Sequence, residues 1–137
     1  MSVLSDLLIL LSGLICGAIV FQTSIIAPSV FKTLDADNAS PFLRTIFPKL
    51  FVMIAFLSAI GLTIAFMQDN LKLTLIFMIS AWLMLLCYFI VPATNRARDS
   101  GNQKRFSQLH TLSVVSTISV LLICLLYTSD AADETGR

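Results

Sequence analysis

Four long apolar stretches limit what this chain can fold into. They begin at Leu4, Leu50, Leu71 and Leu109 and end, in the same order, at Ala27, Met67, Val91 and Tyr127. An α-helix rises about 1.5 Å per residue, so each stretch is long enough to cross, or nearly cross, a hydrocarbon core of about 30 Å. The sequence therefore predicts an all-α, polytopic membrane protein, an antiparallel four-helix transmembrane bundle that has the lipid bilayer as its first partner.

The composition supports the same class of protein. Apolar residues make up 57% of the 137 residues and charged residues only 12%, whereas about a quarter of the residues of a soluble domain are charged. A net charge of +1 gives no domain-wide basic face, so no nucleic acid partner is expected. The three cysteines, Cys16, Cys87 and Cys124, all lie inside apolar stretches, which favours packed thiols over a disulfide framework.

The connections between the stretches set the topology. Proline disfavours continuation of a helix, so Pro28 and Pro92 are predicted to end the first and third spans. Between spans one and two, a turn is predicted at Asp37-Asn38, followed by a short amphipathic helix that begins at Pro41 and lies at the membrane interface. The three-residue connection 68–70 between spans two and three predicts an antiparallel hairpin.

Basic residues are concentrated in the two connections on one side of the predicted bundle. Seven of the nine Lys and Arg residues lie there: Lys32, Arg44 and Lys49 after span one, and Arg96, Arg98, Lys104 and Arg105 after span three. The opposite side has Lys72. Positive charge is retained on the cytoplasmic side of membrane proteins. The sequence therefore predicts a multi-pass protein of a bacterial inner membrane with both termini in the periplasm.

Two sets of small residues predict faces for close helix packing. Gly13 and Gly17 form a small-xxx-small pair in the first span. Ser58, Gly61 and Ala65 lie at i, i+3 and i+7, on one face of the second span. Either face is suited to another helix of the chain, to a second copy or to a membrane-protein partner.

The polar interval 92–113 carries the candidate chemistry. His110, the single histidine, could ligate heme or a metal such as copper, or relay protons. No second ligand is apparent, and a histidine hydrogen-bonded to Asn95 or Gln22 is the simpler interpretation, so no cofactor and no metal site is predicted. Arg98 or Arg96 could bind an anionic headgroup or a phosphate-bearing substrate, because a guanidinium group matches their oxygen atoms. A solvated charge cluster that only sets the topology is the simpler interpretation of these arginines.

Two segments of the sequence resemble a known family. One is GLICGAIVFQTSIIAPSVFKTL, with Gly13, Gly17, Phe21, Pro28 and Phe31, and the other is PATNRARDSGNQKRFSQLHTLS, with Pro92, Asn95, Arg98, Asp99, Phe106, His110 and Ser113. Together they are similar to the small bacterial membrane proteins of domain-of-unknown-function family 4149 and to the eukaryotic transmembrane protein 205. The resemblance implies an integral-membrane four-helix protein without an assigned reaction, and a link of the eukaryotic members to platinum-drug tolerance.

The predicted site is a polar pocket at the cytoplasmic end, lined or shaped by Pro28, Asn95, Arg98 and His110. It would bind or help to move a small molecule, or the protein would act as a scaffold in a membrane assembly. The alternative is a heme- or metal-dependent membrane oxidoreductase that uses His110. No catalytic residue is predicted, because the sequence contains no nucleophile elbow, P-loop or HExxH motif.

The end of the sequence has a different character. CLLYTSDAADE, from Cys124 to Glu134, resembles a translated sequencing adapter. We therefore predict one four-span domain over residues 1–123 and a non-native tail over 124–137, which would complete the fourth helix by accident.

Overall fold

A computed structural model describes the backbone of residues 2–135 and the side chains of residues 2–131. Helices account for nearly all of them: α1 (Val3–Phe21), a π-helical segment (Gln22–Ile26), α2 (Ala27–Thr33), α3 (Ala36–Met67), α4 (Leu71–Asp99) and α5 (Gln103–Thr135). The first three elements follow one another without a break and form one long helix. Four helices are long and apolar enough to cross a membrane, which confirms the predicted all-helical class.

The helices form a bundle in which neighbours in the chain are neighbours in space. α3 packs against α4, α4 against α5, and α1 against both α5 and α3. The bundle interior is an apolar cluster to which all four long helices contribute, with Leu8, Ile54, Phe77 and Val120 fully buried. The predicted four-helix arrangement is therefore confirmed.

The prolines do not end the helices where the sequence predicted. Pro28 lies in the first turn of α2, directly after the π-helical segment, where the Ala27 N–H donates to the Gln22 carbonyl. Pro92 lies inside α4, which continues to Asp99. Proline removes one backbone hydrogen bond, and helices in membrane proteins absorb that loss through neighbouring helices and local π-type adjustments. The predicted ends at Pro28 and Pro92 are therefore wrong.

The predicted interfacial helix is not a separate element. The residues after Pro41 are helical, but they belong to α3, which begins at Ala36 and contains both Pro41 and Pro48. The chain turns at Leu34 and Asp35 instead of Asp37-Asn38. Asp35 caps α3, because its Oδ1 accepts hydrogen bonds from the backbone N–H of Asn38 at 3.0 Å and from its side-chain amide at 2.7 Å.

α3 and α4 form the predicted antiparallel hairpin. Gln68 ends α3, and Asn70 caps α4 by accepting a hydrogen bond from the Leu73 N–H at 3.1 Å. The helices contain 32 and 29 residues, which corresponds to roughly 48 and 44 Å. Both are longer than a hydrocarbon core of about 30 Å requires. Their far ends, away from this turn, therefore extend beyond the membrane-crossing part.

The two small-residue faces lie in different surroundings. Ser58, Gly61 and Ala65 are buried, and a Cβ atom added at Gly61 would lie 2.5 Å from two ring carbons of Phe77 on α4. This face is the predicted packing face, and it brings α3 and α4 together. Gly13 and Gly17 are exposed, and a Cβ atom at either one would meet nothing within 4 Å. Their face is open within the single chain.

α5 continues through the segment predicted to be non-native. Cys124 is fully buried, Tyr127 packs against the apolar cluster, and Asp130 forms an exposed ion pair with Lys72 across 3.7 Å. These contacts show how residues 124–131 would extend the fourth helix. The origin of the tail stays a prediction.

Candidate functional site

The polar connections meet at one end of the bundle, which we call the basic end: the connection Leu34-Asp35, the connection 100–102 and the adjoining turns of α3, α4 and α5. One ion pair shows that the connections lie together. Arg44, near the start of α3, donates from Nη2 to Asp99 Oδ1 at 2.6 Å and from Nη1 to Asp99 Oδ2 at 3.0 Å. Seven basic residues thus lie toward the same end, as the sequence predicted.

The Arg44–Asp99 pair joins the start of α3 to the end of α4. A guanidinium group that donates two parallel hydrogen bonds to a carboxylate gives a well-defined geometry. Hydrogen bonding to Asp99 raises the pKa of Arg44 and lowers the pKa of Asp99. Both groups are therefore charged at neutral pH, and the charge of Arg44 is neutralised by its partner.

A three-membered stack crosses from α4 to α5. The guanidinium carbon of Arg98 lies 5.4 Å from the ring centroid of Phe106. The ring of His110, one helical turn after Phe106, is nearly parallel to it, with 5.6 Å between the centroids and 10° between the planes. A cation over an aromatic face and two stacked rings each favour a defined arrangement. The stack orients the first turns of α5 relative to the last turn of α4.

The connection between α4 and α5 is a tight, left-handed cap. Gly101 has φ +75°, and the N–H groups of Gly101 and Asn102 donate to the carbonyls of Arg98 and Ala97 at 3.2 and 2.9 Å. This pattern ends a helix with a glycine in the left-handed region. Asn102 then starts α5, because its Oδ1 accepts a hydrogen bond from the Arg105 N–H at 3.2 Å. The reversal places Arg96 and Arg105 on the two sides of one depression.

That depression is a polar cavity of about 230 Å³. Its lining is shared by the end of α4, the turn and the start of α5: Ala93, Arg96, Ala97, Ser100, Asn102 and Arg105. The two ion pairs found within the described side chains use other residues, so Arg96 and Arg105 face the cavity with their charges unneutralised. The amide nitrogen of Asn102 adds a neutral donor. The cavity is chemically suited to a small anion.

The four predicted site residues do not gather in one pocket. Arg98 and His110 are exposed and are connected through Phe106, whereas Asn95 is half-buried and has no polar partner among the described residues. Pro28 is exposed on α2, which contacts α3 and the π-helical segment and not α4 or α5. None of the four lines the cavity, which opens on a different face of the same connection.

His110 does not have the hydrogen bonds that the sequence suggested. Its described contact is the stack on Phe106, and within residues 2–131 no hydrogen bond joins it to Asn95 or Gln22. Gln22 is itself 4% exposed, and its Nε2 has no partner within residues 2–131. The same residues contain no group of three or more His, Cys, Asp or Glu side chains that could hold a metal ion.

The three cysteines are packed thiols, as predicted. All are free and buried. The Sγ atoms of Cys16 and Cys87 lie 3.7 and 3.8 Å from backbone carbonyls of α5, and Cys124 Sγ lies 3.9 Å from Ser80 Oγ on α4. Each thiol therefore contacts a neighbouring helix at the limit of a weak hydrogen bond.

The fold and its surface define a class: an α-helical, multi-pass membrane protein with a charged end. Comparison with known families gives a match for part of the chain. The family model described as "Domain of unknown function (DUF4149)" matches residues 10–75, a little under half of the chain. The match contains the first of the two segments that carry the resemblance, from Gly13 to Phe31, and ends before the second. No curated protein and no solved structure matches the chain.

Proposed function

We propose that this chain is an inner-membrane protein of the DUF4149 type, similar to transmembrane protein 205 along its whole four-span domain, and that its basic end binds a small anionic molecule on the cytoplasmic side. The observation that carries the proposal is the cavity between Arg96 and Arg105, two guanidinium groups without a carboxylate partner in the described part of the chain. The family match and the four apolar helices support the membrane assignment.

The chemistry of the lining favours binding over catalysis. Guanidinium groups donate charge-assisted hydrogen bonds to phosphate and carboxylate oxygens, and two of them in one lining can contact the same anion. Asn102 can donate from its amide nitrogen, since its Oδ1 is already used by the Arg105 backbone N–H. The cavity presents no carboxylate or histidine of its own as a general base.

The cytoplasmic orientation rests on the distribution of basic residues. The basic end carries seven Lys and Arg residues, while the opposite end carries Lys72, which pairs with Asp130. This asymmetry favours a cytoplasmic basic end and periplasmic termini. The test fuses the N-terminus to a reporter that is active only in the cytoplasm. Activity of that fusion would contradict the predicted orientation.

The binding site can be tested with the full chain in detergent and inorganic phosphate as the probe. Arg96→Gln and Arg105→Gln should each weaken phosphate binding about tenfold or more, because each removes one charge-assisted interaction. Lys104→Gln is the matched control, since it removes the same charge beside the cavity without touching the lining. It should change binding less than about twofold, as exposed charges interact weakly.

Other outcomes of that titration would assign phosphate binding to other residues or contradict the proposal. Equal losses in Arg96→Gln, Arg105→Gln and Lys104→Gln would mean that the basic end attracts anions without a defined site. A loss confined to Arg98→Gln and His110→Ala would place binding at the residues that the sequence singled out. No measurable phosphate binding by the unmodified chain would contradict the proposal.

A scaffold role is the second candidate, and the exposed Gly13–Gly17 face favours it. Small residues four positions apart let a second helix approach closely in a membrane, and within the single chain nothing lies within 4 Å of a Cβ atom at either glycine. Gly17→Ile should abolish self-association or a co-purifying partner if this face is an interface. Unchanged association in Gly17→Ile would remove the scaffold proposal for this face.

The oxidoreductase alternative gains no support from the contacts of His110. Its imidazole stacks on Phe106 and lies at the exposed surface of α5.

A further inference from the structure

A second depression, separate from the anion cavity, lies on the outer surface between α3 and α4. It is a groove of about 620 Å³. Its polar part is formed by Arg44 and Lys49, and its apolar part by Val52, Met53, Phe56 and Tyr88. It shares no lining residue with the cavity between Arg96 and Arg105.

The groove changes from charged to apolar in one direction along α3. Arg44 and Lys49 precede the apolar stretch that begins at Leu50, and Val52 and Phe56 follow one and two helical turns later. Val52 is 49% and Phe56 64% exposed, so this wall faces the surroundings of the bundle and not its core. The groove thus has charged side chains at the membrane boundary and apolar side chains below them. A phospholipid has the same order, with a charged headgroup above apolar acyl chains.

The charges at the mouth of the groove are positive and only partly neutralised. Arg44 is paired with Asp99, whereas Lys49 is exposed and belongs to neither of the ion pairs formed by the described side chains. An anionic headgroup would therefore meet one free ammonium group and one guanidinium group shared with Asp99. A lysine close to an anionic membrane surface attracts such lipids.

We propose that this groove binds an anionic phospholipid of the surrounding bilayer. Its phosphate group contacts Lys49 and Arg44, and one acyl chain lies along Val52, Met53 and Phe56, with Tyr88 as the opposite wall. A helix of another protein would be a poorer occupant, because its apolar face would leave the ammonium group of Lys49 without a partner at the membrane boundary. Asp99 competes with the lipid phosphate for Arg44.

The test measures lipid adducts on the detergent-purified full chain by native mass spectrometry, with phosphatidylglycerol and phosphatidylcholine as probes. The first phosphatidylglycerol should bind about fivefold more tightly than phosphatidylcholine, which is the effect expected of one basic residue near an anionic headgroup. Lys49→Gln should remove this preference. Lys72→Gln, at the other end of the bundle, should retain it.

Variants in the apolar part of the groove and at Asp99 test the lipid site further. Phe56→Ala should weaken the binding of both lipids. Phe66→Ala should weaken the binding of neither, because Phe66 is an exposed phenylalanine of α3 that lies outside the groove. Asp99→Asn should strengthen phosphatidylglycerol binding by releasing Arg44. Excess inorganic phosphate should not displace the lipid, which separates a lipid site from a general phosphate site.

The proposal is overturned if both lipids bind equally, if Lys49→Gln keeps the preference, or if Lys49→Gln and Lys72→Gln reduce it to the same extent. The proposals for the lipid site and for the anion cavity can be contradicted independently. The double variant Arg96→Gln/Arg105→Gln should lose phosphate binding and keep the lipid preference, and Lys49→Gln should do the reverse.

Discussion

The α3–α4 hairpin has a different character next to its turn and at the basic end. Next to the turn, Ser58, Gly61 and Ala65 of α3 are buried, and Phe77 of α4 is fully buried against Gly61. At the basic end the same two helices present Arg44, Arg96 and Asp99 to the surroundings, and α5 adds Arg105. One pair of helices thus packs closely in its apolar part and presents charged side chains at its far end. Variants in the two parts should therefore have different consequences.

Gly61→Ala should have the largest effect on stability. The added methyl group would lie 2.5 Å from the ring of Phe77, which is fully buried. Overpacking of this kind costs about 1–3 kcal/mol. Unfolding of the detergent-solubilised chain by SDS titration, followed by circular dichroism, measures the change.

Gly17→Ala is the matched control for Gly61→Ala. It makes the same substitution in a membrane-crossing helix, at a position where nothing lies within 4 Å of the new atom. It should be neutral or stabilise the helix by up to about 1 kcal/mol, because alanine is the better helix former. Equal destabilisation by the two variants would show that Gly61 is not a close contact between α3 and α4.

Gly101→Ala should have an intermediate effect. Gly101 has φ +75°, a left-handed conformation that costs a residue with a Cβ atom roughly 1–2 kcal/mol. The strain acts on the turn that places Arg96 and Arg105 around the cavity, so phosphate binding should weaken together with stability. Unfolding and phosphate titration of the same preparation check both effects. Unchanged stability and binding would show that the turn tolerates another conformation.

The Arg44–Asp99 pair should have the smallest effect on stability, because both side chains are accessible to solvent. The pair lowers the pKa of Asp99 below its ordinary value of 3.8. A carboxylate with a lowered pKa in the folded state stabilises that state above its unfolded pKa, and this contribution is lost as the pH falls through the folded pKa. The stability difference between the unmodified chain and Asp99→Asn should therefore be constant near neutral pH. It should begin to shrink as the pH approaches the unfolded pKa of about 4, and it should vanish only below the lowered pKa of Asp99 in the folded chain.

The double variant Arg44→Asp/Asp99→Arg checks the cause of that difference. It exchanges the two charges and should recover part of the stability lost in either single variant if the pair itself is responsible. A pH-independent difference between the unmodified chain and Asp99→Asn would instead indicate that Asp99 acts through something other than its charge.

The sequence predicted the features that depend on the number and length of apolar stretches. The four helices, the hairpin around residues 68–70, the packing face of Gly61 and the common end of the basic connections are all present in the structure. The helix ends were less predictable. Pro28 and Pro92 cost one backbone hydrogen bond each, and a local π-helical turn or a neighbouring helix can offset that loss.

Which residues come together at the candidate site depends on how the chain turns between α4 and α5, and the sequence shows this only indirectly. Phe106 and His110 are four residues apart on one helix, so their stack could have been expected from spacing. The cavity could not, because Arg96 of α4 and Arg105 of α5 come into one lining only through the left-handed turn at Gly101. The predicted residues Asn95, Arg98 and His110 lie near that turn but outside its cavity.

We propose that the basic end holds a defined anion site which contributes to binding and not to stability. Phosphate titration of the double variant Arg96→Gln/Arg105→Gln, alongside its SDS unfolding curve, tests it most directly. We expect phosphate binding to be lost while the unfolding midpoint stays that of the unmodified chain. Retained phosphate binding by the folded double variant would contradict the claim.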